Sequence, residues 1–111
     1  MISSQMLKGI LEGCILKVIS EKETYGYEIA ETLRDYGFSD IVEGTIYPLL
    51  LRLEKNGLIT AEYRKSPIGP KRKYFSISPA GMEEMEQFFS GWTELSTAIH
   101  KLFGNEVGQD E

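Results

Sequence analysis

Hydrophobic positions in the first half of the chain recur at helical spacing in three segments. Apolar residues fall at every third or fourth position over residues 5–20, which predicts an amphipathic helix. A second helix is predicted over residues 24–36, capped by its leading threonine and stopped by Gly37. A third helix is predicted over residues 44–56, because Pro48 is best tolerated in the first turn of a helix.

The pattern then changes from helical spacing to alternation. Residues 58–64 and 72–77 are rich in β-branched and aromatic side chains, and they flank the turn-forming residues 66–70. This combination predicts a β-hairpin. A serine and a proline then start a last helix, which is predicted over residues 79–103 and would be about 36 Å long.

The order of these elements indicates one architecture. Three helices followed by a hairpin are the parts of a winged helix-turn-helix, and a long helix follows them. The predicted fold is therefore mainly α with a small β-hairpin. We expect a winged helix-turn-helix DNA-binding domain over residues 1–78, including the N-terminal helix, a C-terminal dimerisation helix over residues 79–104 and a flexible tail over residues 105–111.

Length and composition limit the class of protein. The chain has 111 residues, of which 41% are hydrophobic and 26% charged, so it fits one folded domain and is not disordered. No apolar run reaches the ~18 residues of a membrane span, and the N-terminus lacks the pattern of a signal peptide. The single cysteine, Cys14, excludes an internal disulfide and a cysteine-based zinc site. These features predict a cytoplasmic protein without a cofactor or a membrane partner.

Charge is distributed unevenly along the chain. The net charge is −5, yet the ten residues from Arg64 to Lys73 contain five cations and no acid. A basic patch on an acidic body suits a local contact with a polyanion such as nucleic acid. A solvated, charged hairpin explains the same pattern equally well, so charge alone does not choose between the two interpretations.

Several motifs resemble the PadR family of bacterial transcriptional regulators. The family's recognition-helix signature is similar to GTIYPLL at residues 44–50, RLE at 52–54 and GL at 57–58. Two further motifs match it, YGYEI at residues 25–29 and GPKRKY at residues 69–74. The resemblance covers nearly the whole chain. It implies a homodimeric winged-helix DNA-binding protein, usually a repressor, whose last helix forms the dimer.

The third predicted helix and the hairpin supply the candidate DNA-binding residues. A recognition helix presents its first turn to base edges in the major groove, and a basic wing can lie in the minor groove. The candidates are Thr45, Tyr47, Arg52 and Lys55 on the helix and Lys65, Lys71, Arg72 and Lys73 on the wing. Strand alternation places Arg72 opposite Lys71 and Lys73, so Arg72 is the one expected to have a structural partner. The alternative is that Thr45 only caps the helix and Tyr47 packs against the body.

Apolar residues in the last helix follow a strict spacing of three and four. The candidate dimer-interface residues are Met85, Phe88, Trp92, Leu95, Ile99 and Leu102. The small winged domain cannot cover so long a stripe, so coiled-coil packing against a second subunit is expected. The alternative is a long helix that folds back on the chain's own first helix.

Trp92, in the middle of this stripe, is a candidate effector-binding residue. Multidrug-binding PadR proteins have a matching tryptophan, and the resemblance implies that paired rings sandwich a planar aromatic compound. The residues that would line this pore are Met6, Gly9, Ile10, Gly13, Phe89, Trp92, Thr93 and Ser96. Gly9 and Gly13, one turn apart, form a notch that could accommodate the indole or leave a cavity beside it. Those proteins have a carboxylate where this chain has Ser96, and the alternative is that Trp92 only packs the dimer core.

No pattern in the sequence indicates catalysis. The chain contains no phosphate-binding loop, zinc-protease motif, serine nucleophile elbow or Cys–His pair, and its single histidine, His100, lies late in the last helix. We therefore expect a protein that is not an enzyme and holds no metal. The rival to a DNA-binding regulator is a winged-helix interaction module whose basic hairpin binds an acidic protein. Only a DNA reader should bind duplex as a two-fold dimer and distinguish one sequence from another.

Overall fold

Five helices and a three-stranded antiparallel sheet make up residues 2–104, the part of the chain that the computed structural model describes. The helices are α1 (Ser4–Leu7), α2 (Leu11–Glu21), α3 (Gly26–Asp35), α4 (Glu43–Lys55) and α5 (Pro79–Leu102). The strands are β1 (Thr24–Tyr25), β2 (Ile59–Ser66) and β3 (Gly69–Ile77), in the order β1-β3-β2. This arrangement confirms the predicted fold class. The predicted tail, residues 105–111, lies outside the described residues.

The core lies where α2, α3 and α4 meet the sheet. Ile15, Ile29, Leu50 and Phe75, one from each of these elements, are no more than 1% exposed. Burial of side chains of this size contributes roughly 1.5–3 kcal/mol each. The same contacts hold α4 against the body, which leaves its other side free to face outward.

The first predicted helix is interrupted. Gly9 has a φ of 80°, in the left-handed region that glycine tolerates best, and this turn separates α1 from α2. The Ile10 N–H donates to the Leu7 carbonyl at 3.0 Å across the turn. The prediction of one continuous helix over residues 5–20 is therefore wrong, because periodicity alone does not reveal a single residue in the left-handed region.

A short strand replaces the predicted start of the second helix. Thr24 and Tyr25 form β1 and pair with Phe75 and Tyr74 of β3, and α3 begins only at Gly26 without a side-chain cap. The hydroxyl of Thr24 instead donates to the Glu28 carboxylate at 2.5 Å, which lowers the pKa of Glu28. Thr24 is buried and fixes the junction of sheet and helix, so its predicted role as a helix cap is wrong.

Helix α4 begins at Glu43, so Pro48 is its sixth residue and lies in the second turn. The prediction that the proline lies in the first turn is wrong by about one turn. Because proline has no N–H, it donates no hydrogen bond to the carbonyl of Gly44 four residues earlier. The helix is nonetheless continuous, since Ile46, Leu50 and Leu53 anchor its inner side in the core.

The predicted hairpin is confirmed and forms the wing. Strand β2 pairs with β3 from Ile59↔Ile77 at the base to Ser66↔Gly69 at the tip, with an irregularity between Arg64 and Ser66. The turn itself is only Pro67 and Ile68, so Ser66, Gly69 and Pro70 of the predicted turn lie in the strands instead. We use the name wing for residues 59–77.

Helix α5 begins where the sequence predicts. The Ser78 hydroxyl accepts a hydrogen bond from the Gly81 N–H at 3.0 Å, and Pro79 is the first residue of the helix. Gly81 is buried, and a Cβ there would lie only 2.0 Å from the Leu58 carbonyl oxygen. This close approach fixes the direction in which α5 leaves the winged domain.

Candidate nucleic-acid interface

The four residues predicted on the recognition helix all lie on the exposed side of α4. Thr45, Tyr47, Arg52 and Lys55 are exposed, whereas the core-facing residues of the same helix are buried. Thr45 is not a cap, because the N-cap position is Val42 and no side chain caps this helix. Tyr47 is 45% exposed, so it is not packed into the body. The helix therefore presents a hydroxyl, a phenol and two cations to solvent.

Arg52 has a partner on another helix. Its Nε donates to Oε2 of Glu12 in α2 at 2.5 Å, and its Nη2 reaches the same oxygen. The two side chains are 61% and 31% exposed, so the pair lies at the surface. Sequence reasoning missed this pair, since the two residues are 40 positions apart.

Lys73 joins the wing to the recognition helix. Its ammonium lies 2.9 Å from the carboxylate of Glu54 in α4, and only 18% of its side chain is exposed. The hydrogen bond that its ammonium donates to Glu54 raises the pKa of Lys73, and the ammonium also lies over the rings of Tyr63 and Phe75. Strand alternation predicts a structural partner for Arg72 rather than for Lys73. Both have one, because the Arg72 guanidinium lies 4.5 Å from the ring centre of Tyr25.

Arg64 is also held within the chain. Its guanidinium donates to both carboxylate oxygens of Glu23 at 2.5 and 2.6 Å, and to Glu62 at 3.0 Å. The same Glu23 accepts from the Ser76 hydroxyl, and together these bonds lower its pKa, with Arg64 the larger cause. Within residues 2–104, the wing cations that form no ion pair are Lys65, Lys71 and Arg72.

The centre of the exposed side of α4 is a stripe that the sequence analysis missed. Gly44, Pro48, Leu51 and Lys55 follow one another at intervals of four, three and four residues, so they share one face of the helix. All four are exposed, and Leu51 is 43% exposed. The signal was available, since these positions lie opposite Ile46, Leu50 and Leu53 on a helical wheel.

The predicted interface residues of α5 divide into two groups. Met85 packs against the core, and the Phe88 ring lies over Gly13 of α2, so these two serve contacts within the chain. The remaining four lie along one exposed side of the helix. They are Trp92, Leu95, Ile99 and Leu102, with exposures of 41%, 54%, 44% and 82%. The alternative of a folded-back helix therefore describes only the first part of α5.

The residues predicted around an effector do not form a closed pocket within one chain. The ring of Phe88 occupies the space above Gly13, so the expected fit of an indole there is wrong. Gly9 lies in the turn before α2 rather than on the helix. The other predicted residues, Met6, Ile10, Phe89, Trp92, Thr93 and Ser96, are exposed or only partly buried.

Residues 2–104 contain no group of three or more His, Cys, Asp or Glu side chains that could hold a metal ion. The thiol of Cys14 is partly buried, and this burial raises its pKa. No helix in the same range combines the length and the apolarity needed to cross a membrane.

A core of helices that carries an exposed helix beside a basic wing defines a winged helix-turn-helix protein of the DNA-binding class. The sequence profile described as the transcriptional regulator PadR-like family matches residues 15–87. The chain belongs to this family of DNA-binding transcriptional regulators, which are not enzymes.

Two solved structures agree with this assignment, and a curated relative is similar over most of the chain. A PadR-like transcriptional regulator from Bacillus cereus is 50% identical, with a TM-score of 0.82 over 93% of this chain and 100% of that one. A Streptococcus transcriptional regulator is 51% identical, with a TM-score of 0.79 over 90% and 98%. An uncharacterised protein of Lysinibacillus sphaericus is 36% identical over 89% of this chain and 93% of its own length.

Proposed function

We propose that this regulator binds an inverted-repeat operator as a homodimer and represses transcription. Each subunit places α4 in the major groove and its wing against the adjacent minor groove. The observation that carries the proposal is the position of the wing, which the ion pair between Lys73 and Glu54 holds beside the exposed side of α4. Two contact elements that are fixed to each other can engage one stretch of duplex without further ordering.

Each proposed contact residue has its own task. Thr45 and Tyr47, in the first turns of α4, offer hydroxyl groups and a methyl group to base edges. Arg52 and Lys55 are placed to meet phosphate groups further along the groove. On the wing, Lys65, Lys71 and Arg72 supply cations to the backbone. Lys73 contributes by holding the wing in place.

The exposed apolar side of α5 supports the homodimer. Trp92, Leu95, Ile99 and Leu102 form one continuous face whose side chains are between 41% and 82% exposed. Packing against the same face of a second subunit buries it and brings two recognition helices together about a two-fold axis. On this basis residues 1–78 bind DNA and residues 79–104 dimerise.

The same interface supports an effector site. Trp92 is 41% exposed, and in the proposed dimer it faces the same residue of the second subunit, so that two parallel rings can hold a planar aromatic compound between them. We propose that Phe89, Trp92, Thr93 and Ser96 line this site, with Met6, Gly9 and Ile10 from the N-terminal segment at its edge. Occupation of the site changes the spacing of the two recognition helices and releases the operator.

The test is binding to the DNA upstream of the protein's own gene. Fluorescence anisotropy with that duplex should give saturable binding at two chains per inverted repeat, and the affinity should survive excess random DNA. Thr45→Ala and Tyr47→Phe should weaken binding to the operator more than binding to random duplex. Blocked transcription from the same promoter in vitro tests repression. An interaction module would instead bind all duplexes alike and weakly, and that outcome would refute the proposal.

A further inference from the structure

The recognition helix carries an apolar patch at the centre of its exposed side. Leu51 is 43% exposed and Pro48 is exposed one turn before it, while the glycine one turn earlier has no atom within 4 Å of where its Cβ would be. Helical spacing places these residues on one line with Lys55. The patch is therefore open along its whole length.

The fold does not need this leucine for its core. The inner side of α4 is filled by Ile46, Leu50 and Leu53, which are no more than 1% exposed. Leu51 lies about 100° around the helix from its neighbour Leu50. This rotation turns it toward solvent, and nearly half of its surface is exposed. This apolar side chain is therefore available to a partner from outside the chain.

The surroundings of the patch identify the partner's charge. Lys55 lies on the same stripe, Arg52 lies on the next position around the helix, and the wing with Lys71 and Arg72 lies on the other side. A second copy of this chain would bring the same cations face to face, which is unfavourable. A polyanion with an apolar group recessed between its charges fits both the rim and the centre.

We propose that Leu51, assisted by Pro48, reads the C5-methyl groups of thymine in the major groove. Thymine is the one base that presents a methyl group there, so apolar contact with it distinguishes T from C. Each operator half-site then contains one or two thymines that face Leu51. This inference rests on the proposed function, since it requires α4 to enter the major groove.

The experiment removes the methyl group without changing base pairing. Each thymine of the operator is replaced in turn by deoxyuridine, and the affinity is measured by anisotropy for the wild type, Leu51→Ala and Leu51→Met. Loss of one buried methyl should weaken wild-type binding about three- to fivefold at the positions that face Leu51. Leu51→Ala should show no such loss at these positions, and Leu51→Met should keep part of it.

Lys55→Ala is the matched control on the same stripe. It should weaken binding to every version of the operator by the same factor and keep the sensitivity to deoxyuridine. If Leu51→Ala keeps the full sensitivity, or if no thymine is sensitive in an operator that the wild type binds specifically, the inference is overturned and the proposed function stands. If Leu51→Ala changes the oligomeric mass without DNA, the patch is a protein contact. If the wild type prefers no duplex over random DNA, the proposed function and the inference fall together.

Discussion

Arg52 of the recognition helix is bound to Glu12 of α2, and the residue after Glu12 is the glycine on which Phe88 of α5 packs. Arg52, a candidate DNA contact, is thus linked through Glu12 to the place where α5 packs on α2. Exposed ion pairs of this kind stabilise a fold by less than about 1 kcal/mol. The pair therefore matters for where the Arg52 charge is held rather than for stability.

The first prediction concerns the competition between Glu12 and phosphate for Arg52. Glu12→Gln removes the carboxylate charge and leaves the guanidinium free for the DNA backbone. We expect tighter binding to random duplex and a salt dependence that steepens by up to about 0.9 in log–log slope, the value of one added phosphate contact. Anisotropy titrations at four or more salt concentrations measure both quantities.

Glu21→Gln is the matched control for this change. Glu21 lies on the same helix, and its ion pair, at 2.8 Å, is with Lys17 of that helix. It should leave the slope unchanged. Weaker operator binding by Glu12→Gln would mean that Glu12 positions Arg52 for DNA instead of competing for it.

The second prediction separates the wing cations by their partners. Lys65 and Lys71 form no ion pair within residues 2–104. Replacing either by alanine should therefore make the log–log dependence of DNA affinity on salt shallower by about 0.9 and leave the stability of the fold unchanged. Lys73→Ala should instead lower the midpoint of thermal unfolding, because it leaves Glu54 without its partner. If Lys73→Ala changes the slope alone, its ammonium serves DNA and not the wing.

Local signals allowed much of the fold to be predicted from the sequence. The serine–proline start of α5 is two adjacent residues, and each strand of the wing spans fewer than ten residues; both predictions are confirmed. Strand β1 has only two residues and exists because β3 pairs with it, so no local pattern indicates it. The break in the helix at Gly9 was not predicted for a different reason, since glycine is compatible with both a helix and a left-handed turn.

The candidate interface was predicted less completely, because charge pairing depends on tertiary contacts. Counting five cations in the basic segment overstates the free charge, since Arg64 is held by Glu23 and Lys73 by Glu54. These partners are distant in sequence and come together only in the folded chain. Leu51 was missed although the helical wheel places it on the exposed side, because the candidate DNA contacts were chosen for their charges and hydroxyl groups.

The third prediction tests the contact between α2 and α5. A Cβ on Gly13 would lie 2.3 Å from atoms of the Phe88 ring, so Gly13→Ala must displace that ring. We expect a loss of about 1–3 kcal/mol in the free energy of unfolding, the usual cost of overpacking. Gly91→Ala is the control, because a Cβ there has no neighbour within 4 Å. Alanine in place of this helical glycine should raise the free energy of unfolding by about 0.5–1 kcal/mol. Urea denaturation of both variants measures the difference, and a neutral Gly13→Ala would show that the contact is loose.

The fourth prediction concerns how the stabilising effect of Glu23, which binds Arg64 and Ser76 of the wing, depends on pH. Hydrogen bonds from Arg64 and then Ser76 lower the pKa of Glu23 in the folded protein. A lowered folded pKa contributes stability that is present above the ordinary glutamate value of about 4.3 and is lost as the pH falls through the folded pKa. Glu23→Gln should therefore be less stable than the wild type at pH 7, and the gap should close on acidification. Glu31→Gln, on the exposed side of α3, should track the wild type at every pH. A gap that persists at low pH would assign the effect to packing.

The fifth prediction concerns Trp92, whose fluorescence reports one site because the chain has a single tryptophan. Two Trp92 rings that face each other in a dimer can stack on a planar dye from both sides. Stacking contributes roughly 0.5–1.5 kcal/mol per aromatic pair beyond the free energy of burying apolar area. A micromolar dissociation constant, about −8 kcal/mol of binding free energy, is therefore expected.

Titration with a flat aromatic dye should quench Trp92 to saturation, and the dye's own emission should show no binding to Trp92→Ala. Analytical ultracentrifugation must show that this variant remains dimeric. The dye weakens operator binding only if it prefers one arrangement of the two subunits, since equal affinity for both would shift nothing. A linear, unsaturated quench, or a variant that falls to monomer, would make Trp92 a packing residue of the dimer and remove the effector site.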